Sequence, residues 1–249
     1  IRIMLFLTAF LASVSVHAEI RVSAAVSLKE ALTAIAERFT RDTGEKVTFT
    51  FGASGQLAAQ IKAGAPVDLF ISAAKPQVDD LIKANIADAI SRTIVARNTL
   101  ALIVPPDATG GIRDFSDLPK AARIAIGEPK TVPAGTYAMQ TLASLKLASG
   151  LKDRLLFASN VRQVLDLVIR GEVDAGMVYL TDVKQVGDKV KLIASADANL
   201  HEPIEYPAVI IRGSANEAEA RQFADYLRKP TAQTILSDRG FLISTTQPK

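Results

Sequence analysis

Residues Ala24-Ala25-Val26-Ser27, closing an apolar run that starts at Ile20, read as a short strand running straight into a helix. Leu28, Leu32, Ile35 and Phe39 then fall on one helical face. The same join recurs at Phe51-Gly52-Ala53-Ser54-Gly55, at Val132-Pro133-Ala134-Gly135 and at Ser159-Asn160-Val161. Each such helix start leaves backbone N–H groups without an intrahelical acceptor and carries the positive end of a helix dipole. Several starts converging on one cleft would build an anion site with no charged side chain.

Outward from these joins, strands and helices alternate, which points to α/β layers. Further strands are expected at 47–51, 68–72, 100–104, 123–127, 174–179 and 206–211, with helices at 76–84, 134–147, 161–170, 217–227 and 230–238. Gly171 reads as the residue that stops the helix before it. No Pro/Gly/Ser-rich linker separates two domains. Two lobes would therefore be joined by extended crossings near 94–100 and 201–207. The expected division is lobe one from 19–97 plus 207–249 and lobe two from 98–206.

Arg2, the apolar run 3–14 and the small-x-small triplet Val16-His17-Ala18 have the layout of a cleavable export signal covering 1–18. The chain has no cysteine, so no disulfide and no lipid-bearing cysteine are expected, and the expected home is the periplasm. A net charge of +3, with no basic stripe or aromatic platform, gives nucleic-acid binding no support.

The residue inventory argues against catalysis. Two histidines, one of them His17 in the export segment, cannot form a catalytic relay or a zinc site with no cysteine to help. No phosphate-cradling glycine motif is present, and no acidic pair is marked out by spacing. Ser27 followed by Glu30 has the form of a capping box, which by itself explains the serine. Ser54 reads equally as an N-cap before Gly55, and Asn160 as the cap of the helix at Val161. Arg162 is expected to face solvent, and Tyr179, ending a buried strand, to find a local partner for its hydroxyl.

The runs Gly64-Ala65-Pro66-Val67-Asp68-Leu69-Phe70-Ile71-Ser72-Ala73 and Val132-Pro133-Ala134-Gly135-Thr136-Tyr137-Ala138 are the most specific stretches. With Ala24 to Leu28, Phe51 to Leu57, Val178-Tyr179 and Tyr206-Pro207, the chain resembles the periplasmic molybdate-binding proteins of ABC transporters, the ModA family. The resemblance implies a type II periplasmic binding protein fold, with two α/β lobes, a cleft and a two-segment hinge. It implies a monomer that is not an enzyme, has no cofactor, takes molybdate or tungstate as ligand, and meets an inner-membrane ABC permease transiently. Carried over by position, the ligand-binding residues are Ser27, Ser54, Ala134, Val161 and Tyr179, with Ala134 and Val161 acting through backbone N–H groups. Molybdenum would be held as its oxyanion, without coordination by side chains. Val26 and Ala53 depart from the family pattern, in which alanine and serine are common there. A receptor for sulfate, phosphate or another oxyanion, an enzyme on the same lobes and a sensing domain of a regulator remain the alternatives.

Overall fold

The structure is a computed structural model that describes residues 19–243; the expected export segment, 1–18, lies outside the described residues. The strands are β1 (Glu19–Ala25), β2 (Lys46–Gly52), β3 (Leu69–Ile71), β4 (Thr93–Arg97), β5 (Leu100–Val104), β6 (Ile124–Gly127), β7 (Leu155–Ala158), β8 (Ala175–Tyr179), β9 (Lys191–Ser195) and β10 (Glu205–Ile210). The α-helices are α1 (Lys29–Thr43), α2 (Ser54–Lys62), α3 (Lys75–Lys83), α4 (Pro133–Ser144), α5 (Ala148–Leu151), α6 (Val161–Ile169), α7 (Leu180–Val186), α8 (Glu217–Tyr226) and α9 (Pro230–Asp238).

They form two five-stranded mixed sheets with flanking helices, one per lobe. The first has the order β2-β1-β3-β10-β4 and the second β7-β6-β8-β5-β9. The two repeat one pattern. In each, three parallel strands sit beside an antiparallel fourth, β10 or β5, which pairs in turn with an antiparallel edge. The chain leaves the first sheet after Arg97 and returns at Glu205, so Glu205 and Tyr206 sit in the first sheet rather than in the second lobe. The backbone N–H of Asn98 donates to the Ile204 carbonyl at 3.1 Å, tying the two crossings together.

The helices form where the apolar spacing lets them cover a sheet. Leu32, Ile35 and Phe39 of α1 are fully buried, and Gly44, at φ +82°, ends that helix. Gly171 has φ +66° just past α6. The carboxylate of Asp68 accepts from the Arg21 backbone and guanidinium, from Ser214 and from Asn216, and so pins the start of β3 to β1 and to the segment after β10. That motif aspartate is structural.

Five short elements lack an expectation from the sequence: β4, which falls in an expected crossing, and β7, β9, α5 and α7. β7 and β9 are edge strands with exposed Leu156, Phe157 and Leu192, so neither carries the buried apolar run that marks a central strand.

Candidate functional site

Ligand crevices of open α/β sheets lie beyond the carboxyl ends of the parallel strands, and the site residues cluster at those ends. Ser27 follows β1, Ser54 follows β2, Ala134 follows β6, Val161 follows β7 and Tyr179 ends β8. All five line one cavity between the lobes, together with Ala53, Ala73 and Val132. Among the described residues, no charged side chain lines it. The room it leaves for water-sized spheres is about 10 Å³, roughly what one water needs and far below the roughly 300–1,000 Å³ of sites for drug-sized ligands. It suits one compact species of few atoms. A larger open groove on the second lobe is lined by Asp107, Lys120, Asp174 and Lys191, of mixed charge, and by no buried polar atom lacking a partner.

The two serines differ from the capping roles their sequence suggests. Val26–Leu28 forms a 3-10 turn before α1, and Ser27 makes no cap hydrogen bond. Its Oγ lies 3.1 Å from the Tyr206 hydroxyl. Glu30 turns instead to Arg162, so the capping box is not formed. Ala53, extended at φ −70°, holds the N-cap of α2 and puts Ser54 at its first position. Ser54 Oγ accepts from the Ala73 backbone N–H at 2.9 Å, which leaves the serine proton free to donate.

Backbone donors come from two further helix starts. Val161 is the first residue of α6, and the Asn160 side chain caps that helix by accepting from Gln163 N at 3.0 Å. Ala134 follows Pro133 at the start of α4. At both positions the N–H has no intrahelical acceptor. The motif glycine beside Ala134 has a steric origin: a Cβ on Gly135 would overlap the Gly127 carbonyl, so only glycine lets α4 start this close to β6.

Tyr179 is 1% exposed, and its hydroxyl has no hydrogen-bond partner among the described residues. The sequence suggested a local partner; the nearest acid, Asp182, accepts from the Tyr179 backbone instead, at 3.0 Å. Burial, with smaller contributions from Tyr206, Tyr137 and Asp182, pushes the Tyr179 phenol well above its usual pKa. It is therefore a neutral donor aimed at the cavity it lines. A buried unmet donor costs about 1–3 kcal/mol, and a ligand acceptor would relieve it.

Arg162 does not face solvent. Its side chain is 20% exposed, with Nη2 2.6 Å from Glu30 and Nε 3.1 Å from Asp182. The second contact is an ion pair without the alignment of a hydrogen bond. Burial pushes the Asp182 carboxyl up to about 6, against the pull of Arg162. Among the described residues no cluster of His, Cys, Asp or Glu could hold a metal ion.

The lobes meet around the cavity. Gly55 N–H donates to the Thr131 carbonyl at 2.9 Å, and the Tyr137 hydroxyl to the Ala73 carbonyl at 3.3 Å. A Cβ on Gly55 would stand 2.7 Å from the Thr131 oxygen, so the approach requires glycine.

The family model described as bacterial extracellular solute-binding protein matches residues 20–242. The chain is 36% identical over 234 residues to the molybdate-binding protein ModA of Escherichia coli, covering 90% of this chain and 89% of that one. The chain belongs to the bacterial extracellular solute-binding proteins, within the ModA family. It is also 37% identical over 223 residues to a putative ABC transporter substrate-binding lipoprotein, YvgL, of Bacillus subtilis, covering 88% of this chain and 85% of the relative. Among solved structures, the periplasmic molybdate-binding protein of Azotobacter vinelandii superposes with a TM-score of 0.80 at 29% identity, over 91% of this chain and all of that one. The sulfate-binding protein SubI of Mycobacterium tuberculosis reaches 0.78 at 18% identity, over 90% and 86% of the two chains, which is a likeness of fold alone. The ModA family consists of solute-binding proteins of ABC transporters, not enzymes.

Proposed function

We propose that this ModA-family chain captures molybdate, with tungstate as a second ligand, in the interlobe cavity and delivers it to an inner-membrane ABC permease. Ser27, Ser54 and Tyr179 give hydroxyl donors and Ala134 and Val161 give backbone donors. The observation that carries the reading is the buried Tyr179 hydroxyl, unpartnered beside a cavity with no charged lining. A tetrahedral dianion brings acceptors on every side, and neutral donors at four helix or turn starts match it. The names of the E. coli and A. vinelandii relatives point to the same anion.

In this reading the segment 1–18 directs export to the periplasm and is removed, and the protein acts there as a monomer. The lobes, 19–97 with 205–243 against 98–204, move about the two crossings, and donors from both lobes make the ligand favour the closed form. A thermal-shift series on the protein lacking residues 1–18 tests the ligand. Molybdate and tungstate raise the melting temperature at micromolar excess, because they bind the native state alone; sulfate and phosphate leave it nearly unchanged. Equal shifts from sulfate and molybdate would leave only a general oxyanion receptor.

A further inference from the structure

Resting on that reading of the cavity, we propose that Asn98 and Tyr206, which do not line it, are positioning residues that hold Ser27 as a donor to the ligand. They thereby set the site's demand for an oxyanion bearing no proton.

The direction of each hydrogen bond follows from one fixed end. The Thr99 backbone N–H can only donate, and it lies 2.9 Å from the Asn98 side chain, so the atom facing it is Oδ1. Asn98 Nδ2 therefore faces the other way, with Thr181 Oγ1 at 2.8 Å and Tyr206 Oη at 3.0 Å. Its two protons serve one hydroxyl each, and Tyr206 Oη accepts. The Tyr206 proton is then free for Ser27 Oγ, 3.1 Å away. Burial pushes the Tyr206 phenol well above its usual pKa, so it keeps that proton. Ser27, accepting from Tyr206, has its own proton left for the cavity.

All four side chains are buried, so bulk water does not reset the chain. Ser54 reaches the same polarity more simply, from the Ala73 backbone N–H. A protonated oxyanion would point a donor at two hydroxyls already committed to donating. The relay also starts where the crossings are bonded, Asn98 N–H to Ile204 carbonyl, and touches Thr181, two residues from Tyr179. The donor direction of a first-lobe serine is thus set from the joint between lobes.

Asn98→Asp tests this by reversing the chain. An aspartate accepts from Thr99 N–H and from the Tyr206 hydroxyl, so Tyr206 Oη now takes the Ser27 proton and Ser27 no longer donates to the ligand. The added charge weakens binding with or without the serine hydroxyl, and a double-mutant cycle cancels it. By calorimetric titration with molybdate, Ser27→Ala costs roughly tenfold or more in the parent. In the Asn98→Asp background it costs less than about threefold. An equal cost in both backgrounds overturns the relay. If Asn98→Asp shows no cooperative melting transition, Tyr206→Phe takes its place. Without the hydroxyl that orients and polarises Ser27, Ser27→Ala must cost less than in the parent, and additive losses overturn the proposal. Sulfate is titrated in parallel. A parent that binds sulfate and not molybdate sinks the ligand assignment alone, and the cycle is then read on sulfate. A parent that binds neither overturns both.

Discussion

Arg162 Nη2 lies 2.6 Å from Glu30 Oε2, joining α6 of the second lobe to α1 of the first one residue away from the cavity-lining Val161. The pair can exist only while the lobes are together. Glu30→Gln is expected to speed molybdate release severalfold and leave the association rate nearly unchanged, since exposed to half-buried pairs contribute up to about 1 kcal/mol. Stopped-flow tyrosine emission measures both rates. Arg162→Gln is the harsher change, because it leaves Asp182 buried without its cation.

Tyr179→Phe and Ser54→Ala separate binding from folding. Each is expected to weaken molybdate binding roughly tenfold or more through a lost hydrogen bond to a charged ligand. Tyr179→Phe removes a hydroxyl with no protein partner, so the ligand-free melting temperature holds or rises. Ser54→Ala strands the Ala73 N–H, so its ligand-free form melts earlier. A calorimetric titration beside a melting curve checks both; normal binding by both variants would remove these residues from the site.

Gly55→Ala places a methyl against the Thr131 carbonyl. The lobes still fold, since the contact lies between them, but they cannot close fully. Small-angle scattering should show the parent's radius of gyration shrinking with molybdate relative to its ligand-free ensemble, and the variant's staying larger. A variant that closes and binds like the parent would show that the 2.9 Å approach of Gly55 to Thr131 is not needed for closure.

Asp182 sets a pH dependence of definite sign. Its folded pKa, pushed up to about 6, exceeds the unfolded value near 4, so the folded form binds the proton more tightly. That stabilisation is full below about pH 4 and lost as pH rises through about 6. Asp182→Asn removes the loss. Its melting temperature should gain on the parent's between about pH 4.5 and pH 7; a falling difference would mean that the Arg162 pair outweighs burial. Asp68 has the opposite sign. Burial opposes the shift, but bonds from Arg21, Ser214 and Asn216 hold its pKa below the usual value, so its contribution is complete above that value and lost in stronger acid.

Local pattern carried much of this protein. The 3.6-residue spacing of Leu28, Leu32, Ile35 and Phe39, the apolar runs of β3, β5 and β8, and the strand-to-helix joins are all readable within a dozen residues, because each reflects one chain segment burying one face. The joins marked four helix starts, the resemblance to the ModA family carried the site onto Ser27, Ser54, Ala134, Val161 and Tyr179, and the fold brings all five to one cavity. What partner each side chain takes was not readable. Ser27 and Glu30 satisfy the spacing of a capping box, yet Tyr206 and Arg162, 179 and 132 residues away from them, claim those groups. Arg162 looked solvated because nothing near it in sequence shows that α1 closes over it. The sequence by itself determined the α/β alternation, the neutral character of the candidate site and the absence of cysteine chemistry. Only the tertiary structure decided which hydroxyls accept and which are left to donate, because hydrogen-bond direction depends on partners from both crossings and both lobes.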